Sequence, residues 1–110
     1  MSEQGKYIVI EGHDGTGKTE QAKLLRARLK KMGVKVCNFL VEEPDGATTE
    51  DGVSLVPVAT ELRKIIKNGK LERDPLVNVL MFTAARRANW TQAMEPALDR
   101  GEWVVTARSW

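Results

Sequence analysis

The sequence predicts an α/β protein: a doubly wound parallel sheet with helices on both faces, incomplete, with about three strands present. Three observations lead there. Apolar runs of strand length alternate with helical stretches along the chain. Those runs are apolar at successive positions rather than every second one, as in strands covered on both faces. The first of them ends in a glycine-rich turn that opens into a basic helix.

Tyr7 to Ile10 (YIVI) is the first strand. After the glycines, Ala22, Leu25, Leu29 and Met32 form a helical stripe, with Lys23, Arg26, Lys30 and Lys31 mostly off it, and Gly33 stops the helix. Val34 to Val41 (VKVCNFLV) reads as a second strand, placed nearer an edge by the polar interruptions at Lys35 and Asn38. EEPDGATTEDG carries turn residues throughout and is expected to be a loop. Leu55, Val58, Leu62, Ile65 and Ile66 mark an amphipathic helix ending near Asn68-Gly69, with Pro57 in its first turn.

Asp74-Pro75 then reads as an N-cap followed by proline at the first helical position. The helix they open, LVNVLMFTAARRANW, is apolar on more than one side. It is expected to pack against the sheet and against something else, such as a second subunit. TQAMEPALDRG is a shorter helix closed by Gly101, and Trp103 to Ala107 (WVVTA) is a third, interior strand. Three strands make a small sheet for helices on both faces, and the text stops just after an interior strand. The chain is expected to be cut short.

The bulk numbers exclude several classes. The 110 residues are about one domain's worth, with 42% hydrophobic and 29% charged residues, as in an ordinary soluble globular protein. A net charge of +2 is too small to argue for nucleic acid or an anionic membrane as partner. Cys37 has no second cysteine to pair with, so a reducing, cytoplasmic compartment is the expectation. No apolar run approaches spanning length, and MSEQGKYIVIEG lacks the basic and apolar regions of a secretion signal.

Gly12 to Thr19 (GHDGTGKT) matches GxxxxGK[ST] in full, between a strand and a helix. Each residue type there has a physical task. Glycines adopt positive φ and let backbone N–H groups converge on an anion. The helix beginning near Lys18 adds unsatisfied N–H donors and the positive end of its dipole. Lys18 brings a flexible point charge for outer phosphates, and the Thr19 hydroxyl suits Mg²⁺. The segment as a whole, Gly12, His13, Asp14, Gly15, Thr16, Gly17, Lys18 and Thr19, is therefore read as a polyphosphate site. His13 could touch a phosphate, or simply be solvated. Further on, FTAAR places Phe82 and Arg86 one turn apart, about 5.4 Å along one helix face. An aromatic ring beside a guanidinium can stack on a base and grip a phosphate or carbonyl; a core phenylalanine beside a solvated arginine is the plainer alternative.

VIEGHDGTGKT, EEPDGAT, LMFTAARR, ALDRGEWVV and ARS occur in the order and at about the spacing found in thymidylate kinases. The chain resembles the first half or so of that family of P-loop nucleoside monophosphate kinases, over nearly all its length. The resemblance implies that residues 1–110 are the N-terminal part of one kinase domain, acting on ATP and dTMP with Mg²⁺ and forming a homodimer when complete. It implies that Phe82 stacks on thymine, that Arg86 contacts the nucleotide and that Arg108 binds the acceptor's phosphate. Asp14 corresponds to the carboxylate that meets the sugar 3′-hydroxyl, Glu43 and Pro44 to the loop that shapes the acceptor site. Lys18, Arg108 and Asp14 would be the catalytic groups and Thr19 the metal-side hydroxyl.

Three departures stand out. Ala107 occupies the place of the family's aspartate before the arginine, so another acid substitutes or turnover is impaired. Glu42-Glu43-Pro44-Asp45 stands where arginine usually precedes the Glu-Pro pair and glycine follows it, which adds negative charge near an anionic substrate. Gly15 replaces a catalytic arginine that some members carry; members without it draw cations from a mobile lid, which here would lie past Trp110. Arg87, the basic run Arg63 to Lys70 and the three tryptophans read as surface or packing residues, although Trp110 flanks Arg108. Glu11 is as readily a structural hydrogen-bond partner as a site residue.

Overall fold

The computed structural model describes residues 4–12, 17–43 and 46–109. Strand β1 (Tyr7–Gly12) is followed by helix α1 (Lys18–Lys31), then by strands β2 (Phe39–Glu43) and β3 (Gly46–Thr49). Helices α2 (Pro57–Lys67) and α3 (Pro75–Asn89) come next. A π-helical turn (Trp90–Met94), helix α4 (Glu95–Asp99) and strand β4 (Val104–Ser109) complete the described residues. The strands form one sheet in the order β1-β4-β2-β3. β4 pairs in parallel with both β1 and β2, and β3 runs antiparallel to β2.

Alternation along the interior strands assigns the helices to opposite faces, because successive side chains of a strand point to opposite sides. Phe39 and Val41 of β2 and Val104 of β4 join Val56, Ala59, Ala85, Met94 and Ala97 in a core under α2, α3 and α4. Leu40, Val105 and Ala107 face the other way, onto Ala22 and Leu29 of α1. The expected two-faced α/β sheet is present, with β4 interior and covered on both sides.

Several boundaries differ from the sequence expectation. The segment read as a loop contains β3: Ala47 and Thr49 pair with Val41 and Phe39, and the Leu55 N–H donates to the Ala47 carbonyl at 2.9 Å. There are thus four described strands, one of them antiparallel, and β2 lies one strand in from the edge. The polar interruptions in VKVCNFLV mark a late start instead. Val36 makes only an isolated bridge to Trp103, and the strand begins at Phe39.

The helix signals fare well. Pro57 and Pro75 lie at helix starts, the Asp74 carboxylate accepts from the Val77 N–H at 3.0 Å, and Gly33 takes φ +83° after α1. TQAMEPALDRG does not start a separate helix, since a π turn joins it to α3. Pro96 lacks the N–H that an α-turn would direct at Gln92, and its ring needs room there. The wider turn, in which the Glu95 N–H bonds the Trp90 carbonyl, accommodates it.

Candidate functional site

The phosphate-loop candidates divide at the limit of the described residues. Gly12 closes β1, whereas His13, Asp14, Gly15 and Thr16 lie outside them. Gly17 stands at the N-cap of α1 with φ +79°, a conformation that glycine adopts without strain. A Cβ at Gly17 would meet nothing within 4 Å, so the backbone angle, not lack of space, requires glycine there. No side chain caps this helix end. Lys18 and Thr19 are the first two residues of α1, so the lysine and the hydroxyl share the turn whose N–H groups lack intrahelical partners.

The sheet brings the acceptor candidates to the same end. In the register, Glu11 of β1 is opposite Arg108 of β4, and Arg108 is opposite Glu43 of β2. One rung across three strands thus carries Arg108 in its centre, one residue before the Gly12 rung. The Arg108 guanidinium donates to the Glu11 carboxylate at 3.2 Å and to the Tyr7 hydroxyl at 3.4 Å. Glu11 therefore takes the structural role that was one of its two readings. Of the acceptor loop, the Glu43 backbone belongs to β2 and Pro44 lies outside the described residues.

Arg86 and Arg108, twenty-two positions apart in sequence, line one cavity of about 350 Å³ together with Tyr7, Thr83, Arg87 and Trp90. Tyr7 meets Trp90 edge-on, with ring centroids 5.9 Å apart. Three guanidinium groups on a wall of two aromatic rings suit a planar, anionic ligand. Arg87, read as a surface charge, belongs to this wall.

Phe82 does not line that cavity. Its ring faces α2, where the Arg63 guanidinium carbon stands 5.9 Å from its centroid. Arg63 was part of the basic run read as a solvated face; its half-buried position against an aromatic ring is a contact that periodicity did not reveal.

The departures at Ala107 and Glu42 turn out to be neighbours. Ala107 is buried against α1, and Glu42 is its register partner on β2. The Glu42 side chain lines a cavity of about 230 Å³ on the α1 side, with Lys23, Arg26 and Glu50 among its walls. Its charge therefore lies across the sheet from the arginine cavity, amid two cations, and the anticipated repulsion of an anionic acceptor does not follow from its position. Arg26 is itself buried, contrary to its placement off the apolar stripe: it donates to the Cys37 carbonyl and lies 3.8 Å from Glu50.

The donors suit a hard cation only in part. Thr19, at the start of α1, and Glu42, near the end of β2, could offer oxygen donors to a cation, but among the described residues no group of three or more His, Cys, Asp or Glu could hold a metal. That set fits an ion carried chiefly by substrate phosphates and water, the usual manner of Mg²⁺.

A strand, a glycine turn of the GxxxxGKT kind and a helix, at the C-terminal end of a mostly parallel sheet, define the P-loop class of α/β folds. The family model described as Thymidylate kinase matches residues 10–110. The chain is 38% identical over 108 residues to a thymidylate kinase of Gluconobacter oxydans, covering 98% of this chain and 45% of the relative. It is 34% identical over 105 residues to one of Deinococcus radiodurans, covering 96% and 46%. A crystal structure of thymidylate kinase from Ehrlichia chaffeensis superposes with a TM-score of 0.75 at 27% identity, over 96% of this chain and 54% of that one. The chain belongs to the thymidylate kinase family, and it spans about half the length of the curated relatives it matches.

Proposed function

We propose that the full-length protein transfers the γ-phosphoryl group of ATP to dTMP, giving ADP and dTDP, in the cytoplasm. The observation that carries this reading is the rung Glu11–Arg108–Glu43. Arg108 there lies within one residue of the strand end that leads into the GxxxxGKT motif, which supports a role for it on the acceptor side. Donor and acceptor anions would then meet at the C-terminal end of the sheet.

Phosphoryl transfer needs positioning and positive charge more than a strong acid or base, because the acceptor phosphate is already anionic. In this reading Lys18 and the helix amides hold the β- and γ-phosphates of ATP, with Gly12 to Thr19 around them. Arg108 holds the acceptor phosphate, its guanidinium oriented by Glu11. Arg86 grips the base, and stacking by Phe82 requires its ring to turn from Arg63 towards the cavity that Arg86 lines. Asp14 meets the sugar 3′-hydroxyl, and Glu43 and Pro44 shape the pocket. Mg²⁺, when bound, neutralises charge on the phosphates; Thr19 would contact it, and Glu42 is the acid whose register position best replaces the family aspartate absent at Ala107.

The family membership supports dTMP as acceptor. The test is ADP release by the full-length protein with dTMP, dUMP, dCMP, AMP and GMP in turn. A marked preference for dTMP is expected, with Lys18→Ala lowering the rate on the order of 100- to 1,000-fold. ATP binding with no transfer to any of the five would sink the proposal in favour of a nucleotide-binding module without turnover, the reading that Ala107 favours.

A homodimer completes the proposal. Leu76, Val79 and Leu80 are 63%, 58% and 59% exposed and, with Thr83, form a stripe along α3. A stripe of that kind is uncommon on a monomer surface. Leu80→Glu should convert the full-length protein to monomers in light scattering; an unchanged mass would place the subunit contact elsewhere. As for membranes, no described helix is long and apolar enough to cross one.

A further inference from the structure

Tyr7, Val9 and Glu11 point to one face of β1, because the alternate residues Ile8 and Ile10 pack on the α1 side. Arg108 shares that face, since its neighbour Ala107 is buried against α1. The register sets Glu11 level with Arg108 and Tyr7 level with Val104, four residues earlier and about 13 Å back along the strand. Yet the Arg108 guanidinium donates to both, to the Glu11 carboxylate at 3.2 Å and to the Tyr7 hydroxyl at 3.4 Å. To serve the second it turns back from the C-terminal end of the sheet, into the cavity of about 350 Å³ that it shares with Tyr7 and Trp90. Among the described residues, none of α1 or of the GxxxxGKT motif lines that cavity. The hydroxyl is itself held in place. The Tyr7 ring meets Trp90 at 73°, and the Trp90 indole N–H donates to the Glu95 carboxylate at 3.1 Å.

We propose that Tyr7 is a latch on Arg108. In the acceptor-free protein its hydroxyl keeps the guanidinium turned back into the cavity, and the acceptor phosphate draws it forward to the strand end while Glu11 keeps its hold. The two bonds differ in the way this exchange requires. The Tyr7 bond is long and goes to a neutral oxygen, whereas a phosphate dianion offers shorter, charge-assisted and bidentate bonds. The Glu11 bond is charge-assisted and lies at the level of Arg108 itself, so the side chain can swing about it. Such a latch weakens acceptor binding, because only molecules with Arg108 released are competent to grip the phosphate. It also keeps this cation away from the donor phosphates until an acceptor arrives.

The latch rests on the proposed role of Arg108; the bond between Tyr7 and Arg108 does not. The test is calorimetric binding of dTMP, thymidine and ATP to the full-length protein and to Tyr7→Phe, which removes the hydroxyl and leaves the ring against Trp90. Tyr7→Phe should bind dTMP about three- to tenfold more tightly. Its affinity for ATP should not change, nor its affinity for thymidine, which has no phosphate to draw Arg108 forward. A merely structural tyrosine would not produce a gain confined to the phosphate-bearing acceptor. Unchanged or weaker dTMP binding, or an equal gain for thymidine or ATP, would overturn the latch. If Tyr7→Phe does not fold, crystal structures of the unmodified protein without and with dTMP decide. A bond between Tyr7 and Arg108 in the first that is broken in the second supports the latch; a bond in both, or in neither, refutes it. Failure of the unmodified protein to bind dTMP would refute the proposed function and the latch with it, whereas ordinary dTMP binding that Tyr7→Phe leaves unmoved refutes the latch alone.

Discussion

Arg108 shows how a residue's role depends on its neighbours. A lone guanidinium at a strand end would sweep solvent, but the Glu11 carboxylate and Tyr7 hydroxyl restrain it from the adjacent strand. Arg108→Lys keeps the charge but loses the planar fork that can hold Glu11 and a phosphate at once. Under the proposed function it should reduce the rate by about 100-fold or more, in the same ADP-release assay; a rate within threefold of the parent would remove Arg108 from the acceptor site. Glu50 offers a check that needs no activity. Its carboxyl lies below the ordinary value of 4.5, chiefly through the hydrogen bond from Lys30 and then through the charges of Lys30 and Arg26. A carboxylate depressed in the folded state stabilises above its unfolded pKa, and that contribution is lost as pH falls through the lowered value. NMR titration should show Glu50 ionising below the ordinary glutamate value, and Lys30→Met should bring it back towards that value. Burial pushes the Cys37 thiol up, in keeping with a small core residue and not a nucleophile. At this scale the sequence was readable where a motif names the residue, as at Gly17 and Lys18. It misread Arg26 and Arg63 as outward-facing charges. Periodicity says which helix face is apolar, but not which of the neighbouring long side chains folds its charged end beneath a loop or onto a ring.

Helix ends were legible because a few residue types dominate their chemistry. Asp74 caps α3 as its position before a proline suggested, and Asp74→Ala should cost about 1 kcal/mol in urea unfolding. The residue before it has a larger role that no motif announces. Arg73 donates to the carbonyls of Ile66, Asn68 and Leu71 and to the Asn78 side chain, tying the end of α2 to the first turn of α3. Arg73→Ala should therefore cost more than Asp74→Ala, about 2 kcal/mol or above, since bonds from a charged donor are the stronger kind. The reverse order would reduce the clamp to a solvated contact. Strand β3 was hidden by its company: GATT lies among Pro, Asp and Gly, whose turn propensity outweighs two threonines, and only pairing with β2 makes it a strand. The π turn was hidden in the opposite way. The stretch holding Pro96 read as a separate helix, but α3 is joined to it by a widened turn just ahead of the proline.

For the whole molecule, the strand order matters most. Among the described strands β1 lies at one end of the sheet, with β4 its one neighbour. Its outer N–H and C=O groups are presented to whatever comes near, and Ile8, Val9 and Ile10 are only half-buried. An apolar edge of this kind pairs readily with another chain. The 110-residue chain on its own should sediment as a concentration-dependent mixture, and a single sharp monomer boundary with a cooperative melt would contradict this. The overall class was evident from continuous apolar strands and a glycine turn. The neighbour relations were not, because local pattern fixes what a segment is and leaves open which segment it sits beside.

The rung of Glu11, Arg108 and Glu43 is stitched by main-chain bonds on both sides of Arg108. Such a lattice resists sliding far more than packed helices do, so the span between its outer members behaves as a ruler of fixed length. Among the described residues, opening and closing would then fall to the helical wall that carries Arg63 and Phe82, and labels placed there, not on the strands, would register it.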